Sequence, residues 1–306
     1  METRHEPFHP LIDYNSPSVL KRYLDEHGLG MQKKFGQNFL INGDARRRLV
    51  EALEVPPGEL VWEVGPGLGA MTAELIMQGA RVKAFEIDRG FAQALRDLIP
   101  DNTLFTLVEG DVLKTWPQEA HKERYAGLSA AYFLGNLPYN IAALLLADFI
   151  EKGRLFKRMV VTVQKEVAQR MFAKPGTKDY SSFSVLCSSA YSIKPLMVLK
   201  GASFYPVPHV DSQAVRMDLR QDRNPETDSP IFRVLVRSLF ANRRKNLKNN
   251  LLAFLSGRYT GGSLDVAEAA EVAIARVGLK GQQRAEEIEL DSFIALSREV
   301  ESLLCQ

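Results

Sequence analysis

The stretch LVWEVGPGLGA, residues 60–70, decides the fold. Its apolar first half predicts a short buried strand, and the helical pattern that starts at its end predicts a helix. Gly65, Gly67 and Gly69 stand between the two, and glycine permits positive φ and lets a ligand approach the backbone closely. The stretch therefore predicts a strand, a glycine turn and a helix, which is the repeating unit of an α/β domain.

Strand and helix patterns alternate along the chain from residue 44 onwards. The predicted strands cover 60–64, 81–87, 103–110, 130–134 and 158–163, with helices at 70–78, 89–98, 141–152 and 165–172. Such alternation favours a parallel sheet with right-handed crossovers. Two further runs, 195–199 and 213–219, predict an antiparallel hairpin that completes the sheet. The whole pattern predicts a doubly wound α/β fold.

The chain divides into three predicted parts. Residues 1–30 form a polar, proline-containing N-terminal extension with a short helix near residues 18–27. Residues 31–220 form the α/β domain, and the charged stretch RQDRNPETDSP, residues 220–230, suits a linker. Beyond it the spacing is helical without a strand signal. Residues 221–306 are therefore expected to form a smaller all-helical C-terminal domain.

The composition is that of an ordinary soluble protein, with 45% hydrophobic and 25% charged residues among 306. The longest apolar run, IAALLLADFI, is too short to span a bilayer, which needs about twenty residues. Two cysteines and five scattered histidines show no metal-binding spacing. We therefore expect no membrane association and no metal, and a reducing cytoplasm as the compartment. The net charge of +2 says little about nucleic acid, so that partner has to be argued from where the charges lie.

Acidic residues follow the second and third predicted strands. Glu86, in FEIDR, can accept hydrogen bonds from both hydroxyls of a ribose, and Asp111, in EGDVL, can accept one from an adenine amino group. The glycine spacing G-x-G-x-G differs from the dinucleotide fingerprint G-x-G-x-x-G. Taken singly, the glycines can be a tight turn and each acid a solvated carboxylate. Taken together at three strand ends, they favour a nucleoside ligand such as S-adenosylmethionine.

The fourth strand end carries the sequence NLPY, residues 136–139. Pro138 disfavours a helical conformation at Leu137, which leaves the Leu137 carbonyl free to face a ligand. The side-chain oxygen of Asn136 supplies a second acceptor, and two acceptors suit an exocyclic amino group. Tyr139 offers a flat ring on which a base can stack. The alternative is a helix-start turn with proline near the first helical position.

Seven motifs in this order resemble the small-subunit ribosomal RNA adenine dimethyltransferases, the KsgA family. They are GQNFL (36–40), EVGPGLGAMT (63–72), EIDR (86–89), GDVL (110–113), NLPYN (136–140), FYPVPHVDS (204–212) and RRKNLKNNL (243–251). The resemblance implies a Rossmann-like class I methyltransferase domain and S-adenosylmethionine as cofactor. It further implies N6,N6-dimethylation of two adjacent adenosines near the 3′ end of 16S rRNA, late in biogenesis of the 30S subunit. The expected partner is 16S rRNA within the 30S subunit, bound by a monomer.

The resemblance also implies a role for individual residues. Cofactor binding is expected from Asn38, Leu40, Gly65, Gly67, Glu86, Asp111 and Asn136. Catalysis is expected from Asn136 and the Leu137 carbonyl, which would orient the target N6, with Pro138 shaping the turn and with Tyr139 and Phe204 on the two faces of the base. The alternative for Phe204 is a core aromatic beside the hairpin. Ala142, where the family has a small hydroxyl residue, and Val112, where alanine is common, depart from the pattern without removing a required atom.

Basic residues form three groups, Lys33–Lys34, Arg46–Arg48 and RRKNLK at 243–248. The expected RNA-binding residues are Arg243, Arg244, Lys245 and Lys248. If residues 231–250 form one continuous helix, a basic stripe of Arg233, Arg237, Arg244 and Lys248 lies on one face. Asn242 is a point where this helix can break. The alternative for each group is a solvated helix face.

Two other functions compete with this hypothesis. An erythromycin-resistance type of methylase shares the cofactor motifs but modifies 23S rRNA. A ribosome-assembly factor could keep the fold without catalysis, although the intact Glu86, Asp111 and NLPY set argues against lost chemistry. A DNA adenine methylase fits less well, because those enzymes typically carry an acidic residue at the position of Asn136.

Overall fold

The computed structural model describes residues 9–31, 37–100, 103–260 and 265–305. The chain forms two compact units. The first comprises residues 1–146, 154–168 and 193–219, and the second comprises 147–153, 169–192 and 220–306. The second unit thus includes two segments that precede the predicted linker. The predicted boundaries at residues 30 and 220 stay a prediction.

A seven-stranded sheet forms the centre of the first unit, and a two-stranded sheet accompanies it. The strands are β1 Phe39–Leu40, β2 Leu60–Val64, β3 Arg81–Glu86, β4 Phe105–Glu109, β5 Tyr132–Asn136, β6 Arg158–Gln164, β7 Tyr191–Leu199, β8 Phe204–Tyr205 and β9 Ser212–Leu219. In the large sheet the order is β4-β3-β2-β5-β6-β9-β7. Strands β2 to β6 pair in parallel, and β9 pairs with β6 antiparallel. The order reverses between β2 and β5, which confirms the predicted doubly wound sheet.

The helices of the described residues agree with the prediction in most places. They are α1 Pro17–Glu26, α2 Gly43–Leu53, α3 Ala70–Met77, α4 Arg89–Leu98, α5 Val112–Tyr125, α6 Ala142–Glu151, α7 Lys165–Met171, α8 Ser182–Ala190, α9 Pro230–Phe240, α10 Leu247–Leu255, α11 Val266–Arg276 and α12 Leu290–Leu304. The sequence did not predict α5, whose interior holds Pro117, or the serine-rich α8. Tertiary packing outweighs these weak local preferences, since most of α8 is buried.

Each unit has its own apolar core. Strand β2 is buried along most of its length and Trp62 is fully buried, as expected for the centre of a parallel sheet. Helices of the second unit pack around Phe232, Leu251 and Phe293, all fully buried. No helix in the described ranges is long and apolar enough to cross a membrane.

At the amino-terminal ends of the parallel strands, charged side chains form ion pairs. The Arg158 Nε lies 2.5 Å from an Asp218 oxygen, which joins the start of β6 to the end of β9. Arg216 lies 2.9 Å from the other Asp218 oxygen and 2.7 Å from Glu54. These contacts tie β6 and β9 to the residue that ends α2, so this edge of the sheet is closed by paired charges.

Candidate active site

A cavity of about 310 Å³ lies at the opposite edge, where the parallel strands end. Its position at the reversal of strand order is where open α/β sheets bind ligands, and its volume falls at the lower end of the range for ligand pockets. The predicted cofactor residues all line it, namely Asn38, Leu40, Gly65, Gly67, Glu86, Asp111 and Asn136. The structure therefore brings residues from four strand ends and β1 into one place.

At the glycine turn the cavity is lined by backbone atoms, because Gly65 and Gly67 have no side chains. Gly65 has φ +70°, and its N–H donates to the Phe85 carbonyl at 3.1 Å. Gly67 has φ +60°, and a Cβ there would lie 2.9 Å from the Phe39 ring. A side chain at Gly67 would be strained by its backbone and would also press on Phe39. The turn therefore needs glycine on conformational and on steric grounds.

Two carboxyl groups near the ends of β2 and β3 are buried away from cations. Glu86 is 5% exposed and accepts a hydrogen bond from the Asp88 N–H at 2.9 Å. Burial raises its pKa to about 7, against the opposing effect of this backbone bond. Burial likewise raises the pKa of Glu63 to about 7, although Thr72 donates a hydrogen bond to it at 2.7 Å. Of the two, Glu86 lines the cavity and can accept ligand hydroxyls.

Asp111 caps the helix that follows β4. Its side chain accepts a hydrogen bond from the Leu113 N–H at 3.0 Å, which fixes the carboxylate at the start of α5. The carboxylate also lines the cavity, so it can accept a further hydrogen bond from a ligand donor. Glu86 and Asp111 thus place hydrogen-bond acceptors where the neighbouring strands β3 and β4 reach the cavity.

The Asn136 side chain is oriented by a residue far away in sequence. Its Nδ2 donates to the backbone carbonyl of Asn38 at 2.9 Å. A carbonyl can only accept, so the amide nitrogen must face Asn38 and the Oδ1 must face elsewhere. The site therefore holds a side-chain acceptor in one orientation at the end of β5. The sequence predicted both residues in the site but not this bond between them.

The backbone of Leu137 and Pro138 connects the end of β5 to the following helix. The Leu137 N–H donates to the Thr162 carbonyl of β6 at 3.0 Å, while the Ile141 and Ala142 N–H groups both donate to the Pro138 carbonyl at 3.1 Å. The Pro138 carbonyl is thus the first acceptor of the following helix, and the Leu137 carbonyl takes no part in these helical hydrogen bonds. The Leu137 side chain is 1% exposed and packs where a Cβ on Gly135 would lie, so it anchors the turn.

Tyr139 is half-buried and held by its hydroxyl. The Tyr139 Oη lies 2.8 Å from the Ser212 Oγ, and Ser212 is fully buried at the start of β9. Ser212 is the last residue of the FYPVPHVDS motif, so this hydrogen bond joins that motif to NLPY. The sequence contained both motifs, but no local signal paired these two hydroxyls.

Phe204 lies in the core and not on the cavity wall. Strand β8 pairs antiparallel with β1, with Leu40 opposite Phe204, and the Phe204 ring is 2% exposed within the main apolar cluster. This is the core position that the sequence left open as the alternative. Because a covered ring offers no face to a base, we leave Phe204 out of the proposed site. Its contribution here is to hold β1, and with it Asn38, in place.

The basic segment of the second unit is a loop between two helices. Helix α9 ends at Phe240 and α10 begins at Leu247, so the condition of one continuous helix over 231–250 is not met, and the chain breaks near Asn242, where the sequence allowed a break. The Asn250 Nδ2 donates to the carbonyls of Asn242 and Lys245 at 3.2 and 3.3 Å. These side-chain hydrogen bonds from the buried Asn250 hold the loop in place of helical backbone bonds. The basic stripe depended on a continuous helix, so it does not form as described.

The four predicted RNA-binding residues differ in their partners. Arg243 donates to the Tyr180 carbonyl and lies 3.6 Å from Glu286, and Lys248 is paired with Glu271. Arg244 and Lys245 are exposed on the loop. In the group at 46–48, Arg46 is 3% exposed, which corrects the expectation of an exposed basic face at that position. Lys33 and Lys34 lie outside the described residues.

A doubly wound sheet with a glycine turn and buried acceptors at its switch point is the architecture of Rossmann-like nucleotide-binding proteins, to which the class I methyltransferases belong. The chain matches the family model for ribosomal RNA adenine dimethylase over residues 28–281. The chain therefore belongs to the ribosomal RNA adenine dimethylase family. The resemblance predicted from the motifs is confirmed.

Curated relatives agree with this assignment. The chain is 42% identical over 93% of its length to a protein of Treponema denticola named ribosomal RNA small subunit methyltransferase A, of which 94% is covered. A Treponema pallidum protein of the same name is 44% identical, with 95% of this chain and 99% of that protein covered. Both relatives are matched almost end to end.

Solved structures show the same fold. A dimethyladenosine transferase from Plasmodium falciparum superposes with a TM-score of 0.72 at 21% identity, over 85% of this chain and 96% of that one. The 23S rRNA methyltransferase ErmE superposes with a TM-score of 0.56, also at 21% identity, over 84% of this chain and 97% of that one. The predicted fold class is confirmed.

The protein is thus an S-adenosylmethionine-dependent rRNA adenine dimethyltransferase, as the motifs predicted. The donor set of the cavity fits this cofactor, because Glu86 and Asp111 are acceptors for a nucleoside and the glycine wall admits close approach. Among the described residues, no group of three or more His, Cys, Asp or Glu side chains could hold a metal ion.

Proposed function

We propose that this enzyme dimethylates N6 of two adjacent adenosines near the 3′ end of 16S rRNA, within the 30S subunit and late in its biogenesis. The names of the curated relatives, which specify the small subunit, support this target. The observation that carries the proposal is the Asn136 amide, fixed by the Asn38 carbonyl at the edge of the cofactor cavity. We further propose that the enzyme acts as a monomer in the cytoplasm, where ribosomes are assembled.

Adenine N6 is a poor nucleophile, because its lone pair is delocalised into the ring. The Asn136 Oδ1 and the Leu137 carbonyl can accept hydrogen bonds from the two N6–H groups in the first methylation and from the one that remains in the second, which favours a pyramidal nitrogen with a localised lone pair. These acceptors strengthen as positive charge develops on N6, and they are fixed before the reaction begins. When bound, S-adenosylmethionine supplies the electrophilic methyl group that N6 attacks. The chain's own residues supply orientation and electrostatic stabilisation, with no nucleophilic side chain.

Tyr139 provides the surface that holds the target base. Its hydroxyl is hydrogen-bonded to Ser212, so the outer end of the ring is held in position before the base arrives. Stacking on an aromatic ring contributes roughly 1–3 kcal/mol per base and tolerates any base, so selection of adenine falls to the two N6 acceptors. A base that reaches this ring has left its stack, as in other enzymes that modify bases.

The cofactor residues divide by chemistry. We assign the ribose hydroxyls to Glu86 and the adenine amino group to Asp111, because both residues line the cavity and follow the neighbouring parallel strands β3 and β4. Gly65 and Gly67 let the methionine part lie against the backbone, and their positive φ values keep that wall free of side chains. Asn38 and Leu40 close the remaining side.

RNA binding is assigned to the loop of residues 241–246, with Arg244 and Lys245 as the phosphate-binding residues. Arg243 and Lys248 have intramolecular partners, so their first contribution is to hold the loop. Replacing Arg244 and Lys245 together by alanine should weaken RNA binding and lower the slope of log K against log salt by about 1.5–2. Lys21→Ala with Arg22→Ala, two exposed cations on α1, makes the same charge change as a control. An unchanged slope in the loop variant would contradict this assignment.

The target is tested with unmodified 30S subunits, 50S subunits and isotope-labelled cofactor. Mass spectrometry of the digested rRNAs should find N6,N6-dimethyladenosine at two adjacent positions of 16S rRNA and no label in 23S rRNA. Label in 23S rRNA would support the erythromycin-resistance type of activity instead. Cofactor binding without transfer to either rRNA would support a non-catalytic assembly factor.

A further inference from the structure

Arg46 is a buried cation in the wall of the cofactor cavity. It lies on α2, is 3% exposed, and lines the cavity together with Tyr14 and Leu20 of the N-terminal segment. The Tyr14 hydroxyl donates to the Leu68 carbonyl of the glycine turn at 2.9 Å, and Leu20 is buried in the main core. Part of the segment that the sequence set apart as an extension therefore belongs to the cavity wall.

The contacts of the Arg46 guanidinium are all with neutral oxygens. One terminal nitrogen donates to the Leu40 carbonyl at 2.7 Å and to the Tyr14 carbonyl at 3.5 Å. The other donates to the Asn15 Oδ1 at 2.7 Å. Among the residues that the structure describes, no carboxylate lies within ion-pair distance of Arg46, and its Nε has no hydrogen-bond partner. Three of its five N–H groups are used in these hydrogen bonds, which leaves the Nε–H and one N–H of the second terminal nitrogen for a further partner.

A buried charge without a close counterion is costly, because burial removes its hydration, and the carboxylates of Glu74 and Asp13 act on Arg46 only from beyond ion-pair distance. Burial lowers the pKa of Arg46 below its usual value, which reflects this cost. A guanidinium binds a carboxylate better than any other common group, through parallel N–H donors. The missing partner is therefore expected to be an anion that enters the cavity.

The cofactor carries one such anion, the carboxylate of its methionine part. Glu86 and Asp111 also line the cavity, but neither is among the charges that act on Arg46, and their acceptor oxygens repel a carboxylate and suit the nucleoside. We infer that Arg46, positioned by Leu40, Tyr14 and Asn15, binds the methionine carboxylate of the cofactor. The N-terminal segment thus contributes to cofactor selectivity through Arg46. This inference depends on the cofactor and not on which rRNA is methylated.

The test compares two ligands that differ only in this carboxylate, S-adenosylmethionine and decarboxylated S-adenosylmethionine, by calorimetry on the full chain without RNA. The wild type should prefer the carboxylate-bearing ligand by about ten- to hundredfold, as expected for a charge-assisted hydrogen bond. Arg46→Met should lose this preference, with affinity for the decarboxylated ligand changed less than about twofold. Arg47→Met, at an exposed neighbour that pairs with Asp44, should keep it.

A structural role alone predicts a different result. If Arg46→Met weakens both ligands equally, the guanidinium only supports the wall, and the inference is wrong. Arg46→Lys covers the case in which the methionine variant does not fold, since it retains the charge with a single donor point. It should keep only part of the preference. An undiminished preference in a folded Arg46→Met variant, or in Arg46→Lys where Arg46→Met does not fold, would also overturn the inference.

Discussion

The two edges of the central sheet hold the same types of acidic side chain in opposite surroundings. At the amino-terminal edge, hydrogen bonds from Arg216 and Arg158 hold the pKa of Glu54 below its usual range. At the carboxyl edge, burial without a cation raises the pKa of Glu86 and Glu63 to about 7. Ion pairs stabilise the amino-terminal edge, whereas Glu63 and Glu86 have hydrogen bonds but no cation among the described residues, and Glu86 lines the cavity where a ligand can bind.

One sheet thus has residues that stabilise the fold at its amino-terminal edge and residues for binding and catalysis at its carboxyl edge. Groups at the amino-terminal edge are satisfied inside the protein, so changing them should affect unfolding and not catalysis. Groups at the carboxyl edge are only partly satisfied, so changing them should affect binding and turnover more than folding. The expectations below test whether stability depends on one edge, and binding and turnover on the other.

The largest effect is expected at the carboxyl edge from Asn136→Ala. Removing one fixed acceptor of the developing charge should lower kcat by about 10²–10³-fold, as for other preorganised hydrogen-bonding groups. The free energy of unfolding should change little. Turnover is measured with 30S subunits and cofactor affinity by calorimetry. If cofactor affinity falls as far as kcat, Asn136 acts on the cofactor and not on the target N6.

At the amino-terminal edge, Asp218→Asn should lower the free energy of unfolding by about 1–2 kcal/mol at neutral pH, because it leaves Arg158 and Arg216 short of a partner in partly exposed positions. Although burial alone raises the pKa of Asp218, the hydrogen bonds from these arginines outweigh it and lower the pKa.

The sign of this effect is set by that lowered pKa. The stability from Asp218 is present above the ordinary pKa of an aspartate and is lost as the pH falls through the lowered value. Denaturant unfolding at several pH values should therefore show wild type and variant converging in acid. Asp222→Asn, at an exposed carboxylate paired with Arg220, is the matched control and should leave the unfolding midpoint unchanged. A large loss of cofactor affinity in Asp218→Asn would contradict the separation of the two edges.

Cofactor binding should depend on pH through Glu86. We expect its ionised form to accept hydrogen bonds from both ribose hydroxyls, and its pKa of about 7 means that lowering the pH from about 8 to about 6 protonates it. Affinity should then fall about tenfold, with Kd rising as pH falls below that pKa. Calorimetry across this range measures the effect, and Glu86→Gln should bind weakly without the pH dependence.

Glu63 titrates in the same range and serves as the control for this experiment. It does not line the cavity, so Glu63→Gln should keep the pH dependence of cofactor binding. If Glu63→Gln removes the pH dependence and Glu86→Gln keeps it, then Glu63, and not the cavity-lining Glu86, controls cofactor binding.

The smallest effect is expected from Tyr139→Phe, which keeps the stacking ring and loses only its hydrogen bond to Ser212. Turnover should fall about two- to fivefold, in line with one neutral hydrogen bond. Ser212→Ala should match it, and the double variant should be no worse than either single one, because both remove the same contact. Additive losses in the double variant would show that the two hydroxyls act separately.

Much of the site could be predicted from the sequence, because the carboxyl ends of parallel strands share one edge of a sheet. The spacing of Gly65, Glu86, Asp111 and Asn136 after successive strands was therefore enough to place them together. The turn at Pro138 was also predictable, since proline restricts the residue before it. These are local rules of backbone conformation and strand order.

Only the tertiary structure decided which side chains touch. The bond from Asn136 to the Asn38 carbonyl and that between Tyr139 and Ser212 join residues 98 and 73 positions apart. The sequence left open whether Phe204 faces the target base or lies in the core, and it predicted an exposed Arg46; the burial of both follows from the pairing of β8 with β1 and from the packing of the N-terminal segment. Sequence patterns determine backbone periodicity, whereas burial and hydrogen-bond partners depend on contacts between distant segments that no local pattern records.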